Sequence, residues 1–306
     1  MISNLTPASE AFLANMDRVQ RSVEEASRQA SSGKRVNVAS DAPDEVSAIL
    51  QLHADQLRNS RIQTNLAQAK TDADAADGAL SNAAKIMDRA RQLAAQGANF
   101  TQEASQRQSI ATEVESLLEQ MVSISQTKVQ GRYIFSGDQD GAAAYTLDLT
   151  QPIGATALNM SAATRRVEDP AGGSFAVAKA AGEIFDAQNP DGSPATANVF
   201  AALNNLRLGL VNNDATQIAA ATSSLQSASD HLNASQAFYG SVQNRIQSAT
   251  DFAGSYDVRL KTELSQKEDA DVTAAALALN QGSIQLQAAF QMEAKMPHTS
   301  LFDFLG

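Results

Sequence analysis

The chain has no cysteine and no tryptophan, and only 5% of its 306 residues are aromatic. Without cysteine there can be no disulfide framework, no thiolate zinc site, no iron–sulfur cluster and no cysteine nucleophile. Positive charge is also short. Lys and Arg number 23 against 34 Asp and Glu, leaving a net charge of −11. That balance argues against holding nucleic acid or an anionic membrane through bulk charge. Long apolar runs are missing too. The longest, Ala274 to Leu279, is far short of the roughly 18 residues that a membrane span needs. Residues Met1 to Thr6 lack a basic region followed by an apolar run, so no cleaved secretory signal is expected.

What the chain has instead is alanine (57), serine (30) and glutamine (27). Alanine is the best helix former but buries little area. This composition suits long helices packed along thin seams. Proline and glycine show where the helices break. Residues 44–151 and 195–296 contain no proline, while eight of sixteen glycines lie between Gly131 and Gly192. Helical flanks around a non-helical middle follow.

Periodicity agrees. Phe12, Met16, Val19, Val23, Ala26 and Ala30 form one stripe and predict a helix over 8–31, ending at Gly33. A second helix is expected to start at Ser40-Asp41-Ala42-Pro43, with Asp41 as its cap, and to run to Gly97. Within it, positions 66, 69, 73, 76, 80, 83, 87, 90 and 94 are all Leu, Ala or Met. A third helix is predicted over 101–128, capped by Asn99 or Thr101, and a shorter one around Val199 to Leu210. The strongest repeat runs from Ile218 to Leu260 with a single polar member, Ser235. Six heptads of this kind are a coiled-coil signal. A last helix is expected over 269–295. In the middle, Tyr133-Ile134-Phe135, Tyr145 to Leu149 and Ser174 to Val177 read as short strands.

The search for chemistry finds nothing assembled. His53, His231 and His298 are widely separated and match no ligand pattern; His53 and His231 fall on polar helix faces and read as solvated. Asp138-Gln139-Asp140-Gly141 is a fragment of a calcium loop that lacks the remaining ligands, and reads as a turn. Asp138, Asp140 and Asp148 are the local carboxylates that an enzyme would have to use. Lys34-Arg35 and the isolated Arg165-Arg166 do not make a nucleic-acid patch. Gly240 and Gly254, inside the long heptad helix, read as sites of close helix contact or mild bending. No catalytic, cofactor or metal site is expected.

Three segments resemble one family. Ser31-Ser32-Gly33-Lys34-Arg35-Val36-Asn37 with Ser40-Asp41-Ala42-Pro43, then Gly131-Arg132-Tyr133-Ile134-Phe135-Ser136-Gly137, and finally Thr299 to Leu305, are similar to segments of the bacterial flagellins and of the related hook–filament junction branch. The middle segment resembles the junction branch rather than the filament subunit. The motif residues are Ser32, Gly33, Arg35, Asn37, Asp41, Gly131, Arg132, Tyr133, Phe135 and Gly137.

The resemblance implies a structural subunit, not an enzyme, exported to the extracellular flagellum without a cleaved signal. Its implied partners are neighbouring copies, hook-associated protein 1, flagellin and an export chaperone, with no nucleic acid and no membrane insertion. Phe12, Met16, Val19 and Val23 are expected on one assembly stripe, and Val272, Leu279 and Leu286 on its counterpart. Tyr133 and Phe135 are expected to anchor the insertion on the helices.

The expected fold is mainly α: a long antiparallel helical or coiled-coil rod built from both chain halves, with a small β-rich domain inserted in the middle. The expected segments are 1–38, pairing with 268–306; 39–131 and 193–267, the halves of the rod; and 132–192, the insertion. A short flagellin and a secreted coiled-coil adhesin are the alternative readings.

Overall fold

The computed structural model describes residues 7–99, 102–158, 161 and 164–295. It contains α1 (Pro7–Ser32), α2 (Val46–Gly97), α3 (Ala104–Ser125), β1 (Lys128–Val129), β2 (Arg132–Tyr133), β3 (Tyr145–Leu147), β4 (Ala155–Ala157), β5 (Arg166–Glu168), β6 (Ser174–Ala176), α4 (Ala181–Phe185), α5 (Val199–Val211), α6 (Ala215–Glu268) and α7 (Val272–Lys295). Two compact units divide the chain: residues 59–255 form one, and the segments on either side form the other.

Within the unit of residues 59–255, α2 and α6 run antiparallel. Asn59 meets Ala253, Asp74 meets Gln243, Asp77 meets Gln236 and Arg91 meets Gln226, so position rises on one helix as it falls on the other. Every member of the two seam repeats in this unit is buried, from Leu66 to Ala94 and from Ile218 to Ala253. The polar Ser235 is fully buried among them. Small side chains permit the close approach of the helices, and contact repeated over many turns replaces a thick core.

The α2 helix ends at Gly97, packed under Leu210, where a Cβ would overlap the leucine. Arg107 closes that end. Its guanidinium donates to the Gly97 and Asn99 carbonyls and to the Asn213 side chain. A cation there also meets the negative end of the helix dipole. The α3 helix starts at Ala104, later than expected, because Gln106 accepts from the Glu103 N–H in a capping arrangement. Asn99 does not cap it, and Thr101 lies outside the described residues.

Among the described residues, the middle of the chain forms three separate antiparallel hairpins, β1–β2, β3–β4 and β5–β6. Gln130 and Gly131 both have positive φ (51° and 80°), as a tight two-residue hairpin turn requires. The strand expected at Tyr133 to Phe135 is only Arg132–Tyr133. Ile134 and Phe135 are both buried, and consecutive inward side chains break the alternation that a strand needs. Under the hairpins lies an aromatic cluster. Phe135 meets Phe185 and Tyr239 edge-on, Phe185 stacks on Phe200, and Tyr145 tilts against Phe200. Burial pushes the Tyr239 hydroxyl up to about 12, so it stays protonated and accepts from the Lys179 N–H.

In the other unit, Val36, Ala42 and Ile49 form a small core with Leu264. The helix α2 starts at Val46 rather than near Asp41. The Asp41 carboxylate is already taken by the Asn37 and Val38 N–H groups, so it closes the preceding turn and does not cap the helix.

Gly240 and Gly254 also differ from expectation. A Cβ at either would meet nothing within 4 Å, so neither marks a close contact. Their cost is backbone entropy alone. Gly240→Ala and Gly254→Ala should each raise stability by about 0.5–1 kcal/mol in urea denaturation. Ala83→Leu, at a fully buried seam position, should lower it by about 1–3 kcal/mol. Unchanged stability in Ala83→Leu would show that the seam is not closely packed.

Candidate assembly interface

The terminal helices α1 and α7 pack on each other antiparallel. Gly33 lies beside Ala270, and Val23 lies over Gly282. Gly282 is buried, and a Cβ there would overlap Val23 Cγ2. The α1 stripe of Phe12, Met16, Val19 and Val23 is half-buried and leads to the buried Ala26. From α7, Ala275 is buried, and Leu279 and Leu286 are half-buried. Val272 starts the helix and is 48% exposed, outside this seam.

The first motif builds the joint beside these helices. Gly33 takes φ 71° and its N–H returns to the Gln29 carbonyl, which ends α1 in a left-handed residue. Ser32 Oγ donates to the Arg28 carbonyl and accepts from the Lys34 N–H. The chain then lies against the α6–α7 connection. The Ala270 N–H donates to the Gly33 carbonyl (2.9 Å), and the Arg35 and Val36 N–H groups donate to the Glu268 carbonyl.

Side chains close the joint. Arg35 donates to Glu45 (2.9 Å) and to the Lys267 carbonyl (2.6 Å) in the last turn of α6. Asn37 Nδ2 donates to the Lys34 carbonyl. The Val38 and Asn37 N–H groups hold the Asp41 carboxyl below the usual carboxylate range. The buried Glu268 carboxylate pairs with Lys34, and its second oxygen lies 3.2 Å from His53 Nε2. His53 is therefore partnered rather than simply solvated. His231 likewise meets the Glu183 carbonyl (2.8 Å).

The second motif sits in the unit of residues 59–255. Arg132 reaches Asp72 on α2 and Asp140, and Arg165 reaches the same two carboxylates at 2.9 and 2.7 Å. This closed ring of four charges ties the hairpin region to α2. Arg165 is thus not isolated, as its sequence context suggested. Tyr133 is half-buried beneath Lys128 Nζ, 4.3 Å from the ring centre. Phe135 is fully buried in the aromatic cluster, and Gly137 has φ 64°.

The carboxylates with conceivable chemistry are bound into the structure. Asp138 accepts from Ser161, Asp140 belongs to the ring, and Asp148 is held by Thr150 and Thr156. Among the described residues no group of three or more His, Asp or Glu could hold a metal ion. No described helix is long and apolar enough to cross a membrane.

Residues 2–140 match the bacterial flagellin N-terminal helical region, and residues 208–305 match the bacterial flagellin C-terminal helical region. The chain belongs to the bacterial flagellin family. It is a structural protein of the flagellum, not an enzyme. It is similar to flagellar hook-associated protein 3 of Escherichia coli strain K12, with 24% identity over 291 residues covering 90% of each chain. The fold also matches crystal structures of FlgL from Bacillus cereus (TM-score 0.54, 22% identity, 72% of this chain and 100% of that one) and of the flagellar junction protein FlgL from Legionella pneumophila (TM-score 0.56, 17% identity, 71% and 98%).

In this flagellin-family chain, both matched regions contribute to the joint: Gly33 to Asp41 from the N-terminal match, Lys267 to Ala270 from the C-terminal match. The third similar segment, Thr299 to Leu305, lies outside the described residues. Sequence reasoning gave no partner to Glu268, His53 or Asp72, because their partners are remote in the chain. Asp41 gives a direct test of the joint. Its depressed folded value means that its contribution is present at neutral pH. That contribution is lost only as pH falls below the ordinary carboxylate value of about 3.9. At neutral pH, Asp41→Ala should speed amide exchange at Asn37 and Val38 by about tenfold. Unaltered exchange would remove Asp41 from the joint.

Proposed function

We propose that this flagellin-family protein is the structural subunit at the hook–filament junction, adapting one helical polymer to the next. The observation that carries the reading is the surface of α7. From Val272 to Met292 the helix has no charged residue. Beside its seam with α1 it exposes Val272, Leu277, Ile284, Phe290 and Met292. A helix that stays in water carries charge on its outer face, as α1 does with Asp17, Arg18, Arg21, Glu24, Glu25 and Arg28. A neutral helix with large apolar side chains outward is built to be covered by other subunits.

Neighbouring copies, hook-associated protein 1 and flagellin are the partners that this surface would meet in the assembled flagellum. An export chaperone would cover it beforehand. The junction role, rather than the filament role, is supported by the Gly131 to Gly137 segment and by the hook-associated and junction proteins among the similar chains. Leu279 and Leu286 serve the α1–α7 pairing, and Leu277 and Ile284 serve neighbouring subunits.

Deleting the gene in its own organism tests this reading. Hooks should form without filaments, and flagellin should leak into the medium. The intact gene should restore filaments, whereas Gly282→Leu, which forces Val23 away from α7, should not. Normal filaments in the deletion strain would overturn the junction assignment.

A further inference from the structure

The first turns of α2 carry an apolar face that the chain itself leaves open. Leu50, Ala54 and Leu57 recur at spacings of four and three, which puts them on one side of the helix. Both leucines are 63% exposed. Val46 to Ala54 contains no Asp, Glu, Lys or Arg. One turn beyond Leu57 the same side of α2 ends in the exposed Arg61.

A second open feature lies between α1 and α7, a cleft of about 390 Å³. Ala270, Ala274 and Ala278 line it from α7, and Ser22, Ala26 and Gln29 from α1. Its two ends differ in charge. Because α1 and α7 run antiparallel, Arg35 and Asp271 stand toward Ala270, and Glu25 stands toward Ala278. Asp271 is spent as the cap of α7, accepting from the Ala274 N–H. Glu25 is bonded to the Gln29 amide and forms no ion pair among the described residues. The Ala278 end is therefore the acidic one.

We propose that this cleft receives the Leu50–Leu57 face of α2 from a second copy of the chain. The two leucines stand about 10.5 Å apart, and the cleft spans about 12 Å from Ala270 to Ala278, at 1.5 Å per helical residue. Charge sets the direction. Arg61 is repelled by Arg35 and attracted by Glu25, so Leu50 lies toward Ala270 and Leu57 at Ala278. The contact joins different faces of the two copies, and a heterologous contact of this kind propagates into a ring or a helix, not a closed pair. Two leucines bury far less than the roughly 1,200–2,000 Å² of a stable pair. The contact is weak between two free subunits and adds up around a ring. Leu277 is not among the residues that line the cleft and stays available to other subunits. The inference rests on the reading that this chain assembles with its own copies, and it names the surfaces that meet.

The absence of cysteine allows a direct test in flagella of the deletion strain, made to express two full-length variants together. One carries Leu57→Cys and the other Ala278→Cys or Ala270→Cys. A disulfide needs Cα atoms within about 7 Å, so oxidation should link Leu57→Cys to Ala278→Cys at least about tenfold more than to Ala270→Cys. Adding Arg61→Glu to the first variant should lower that yield about threefold, and Glu25→Lys in the second should restore it. Independently, Leu50→Glu with Leu57→Glu should leave hooks without filaments, whereas methionine at both positions should retain them. Equal linkage at Ala270 and Ala278, or none at either in flagella that contain the chain, would overturn this contact and leave the junction reading standing. Filaments that form normally with both glutamates would do the same. Absence of the unmodified chain from flagella would overturn both.

Discussion

Side-chain size at the helix seams is the constraint on which the rest of this protein depends. Alanine at alternate seam positions lets α2 and α6 approach closely, but each layer buries little area. Stability must then come from the number of layers, which is why single helices run for 52 and 54 residues. The same economy explains the few aromatic residues. Those that are clustered, Phe135, Tyr145, Phe185, Phe200 and Tyr239, sit where the hairpins leave a space that alanine cannot fill.

Thin seams leave wide solvent faces, and these account for the acidic charge. Glutamine and carboxylate pair repeatedly one turn apart: Gln29 with Glu25, Gln51 with Asp55, Gln68 with Asp72, Gln226 with Asp230 and Gln247 with Asp251. Such pairs support an exposed helix without a matching lysine. The abundance of glutamine and the charge of −11 are thus two sides of one surface design. Against it the neutral α7 stands out, because it follows the opposite rule while also being largely exposed.

The motif residues act where the chain reverses, not in the seams. Gly33, Arg35, Asn37 and Asp41 spend their hydrogen bonds on backbone groups that a turning chain leaves without partners. Arg132 does the equivalent with charge, sharing Asp72 and Asp140 with Arg165. Two positions read from sequence as helix features proved to serve other ends. Asp41 closes a turn ahead of α2, and Gly240 faces open space.

Sequence alone determined the long helices, their seam faces, the broken middle and the family segments. These are local or periodic features: a heptad repeats its evidence every seven residues, and glycine or proline acts on its own backbone. Tertiary structure decided what joins residues far apart in the chain. Nothing in the sequence pairs Arg165 with Asp72, His53 with Glu268, or Asn59 with the Ala253 carbonyl. The three hairpins were only partly legible for a related reason. Strands of two or three residues carry too little alternation to read, and their pairing depends on what packs beneath them.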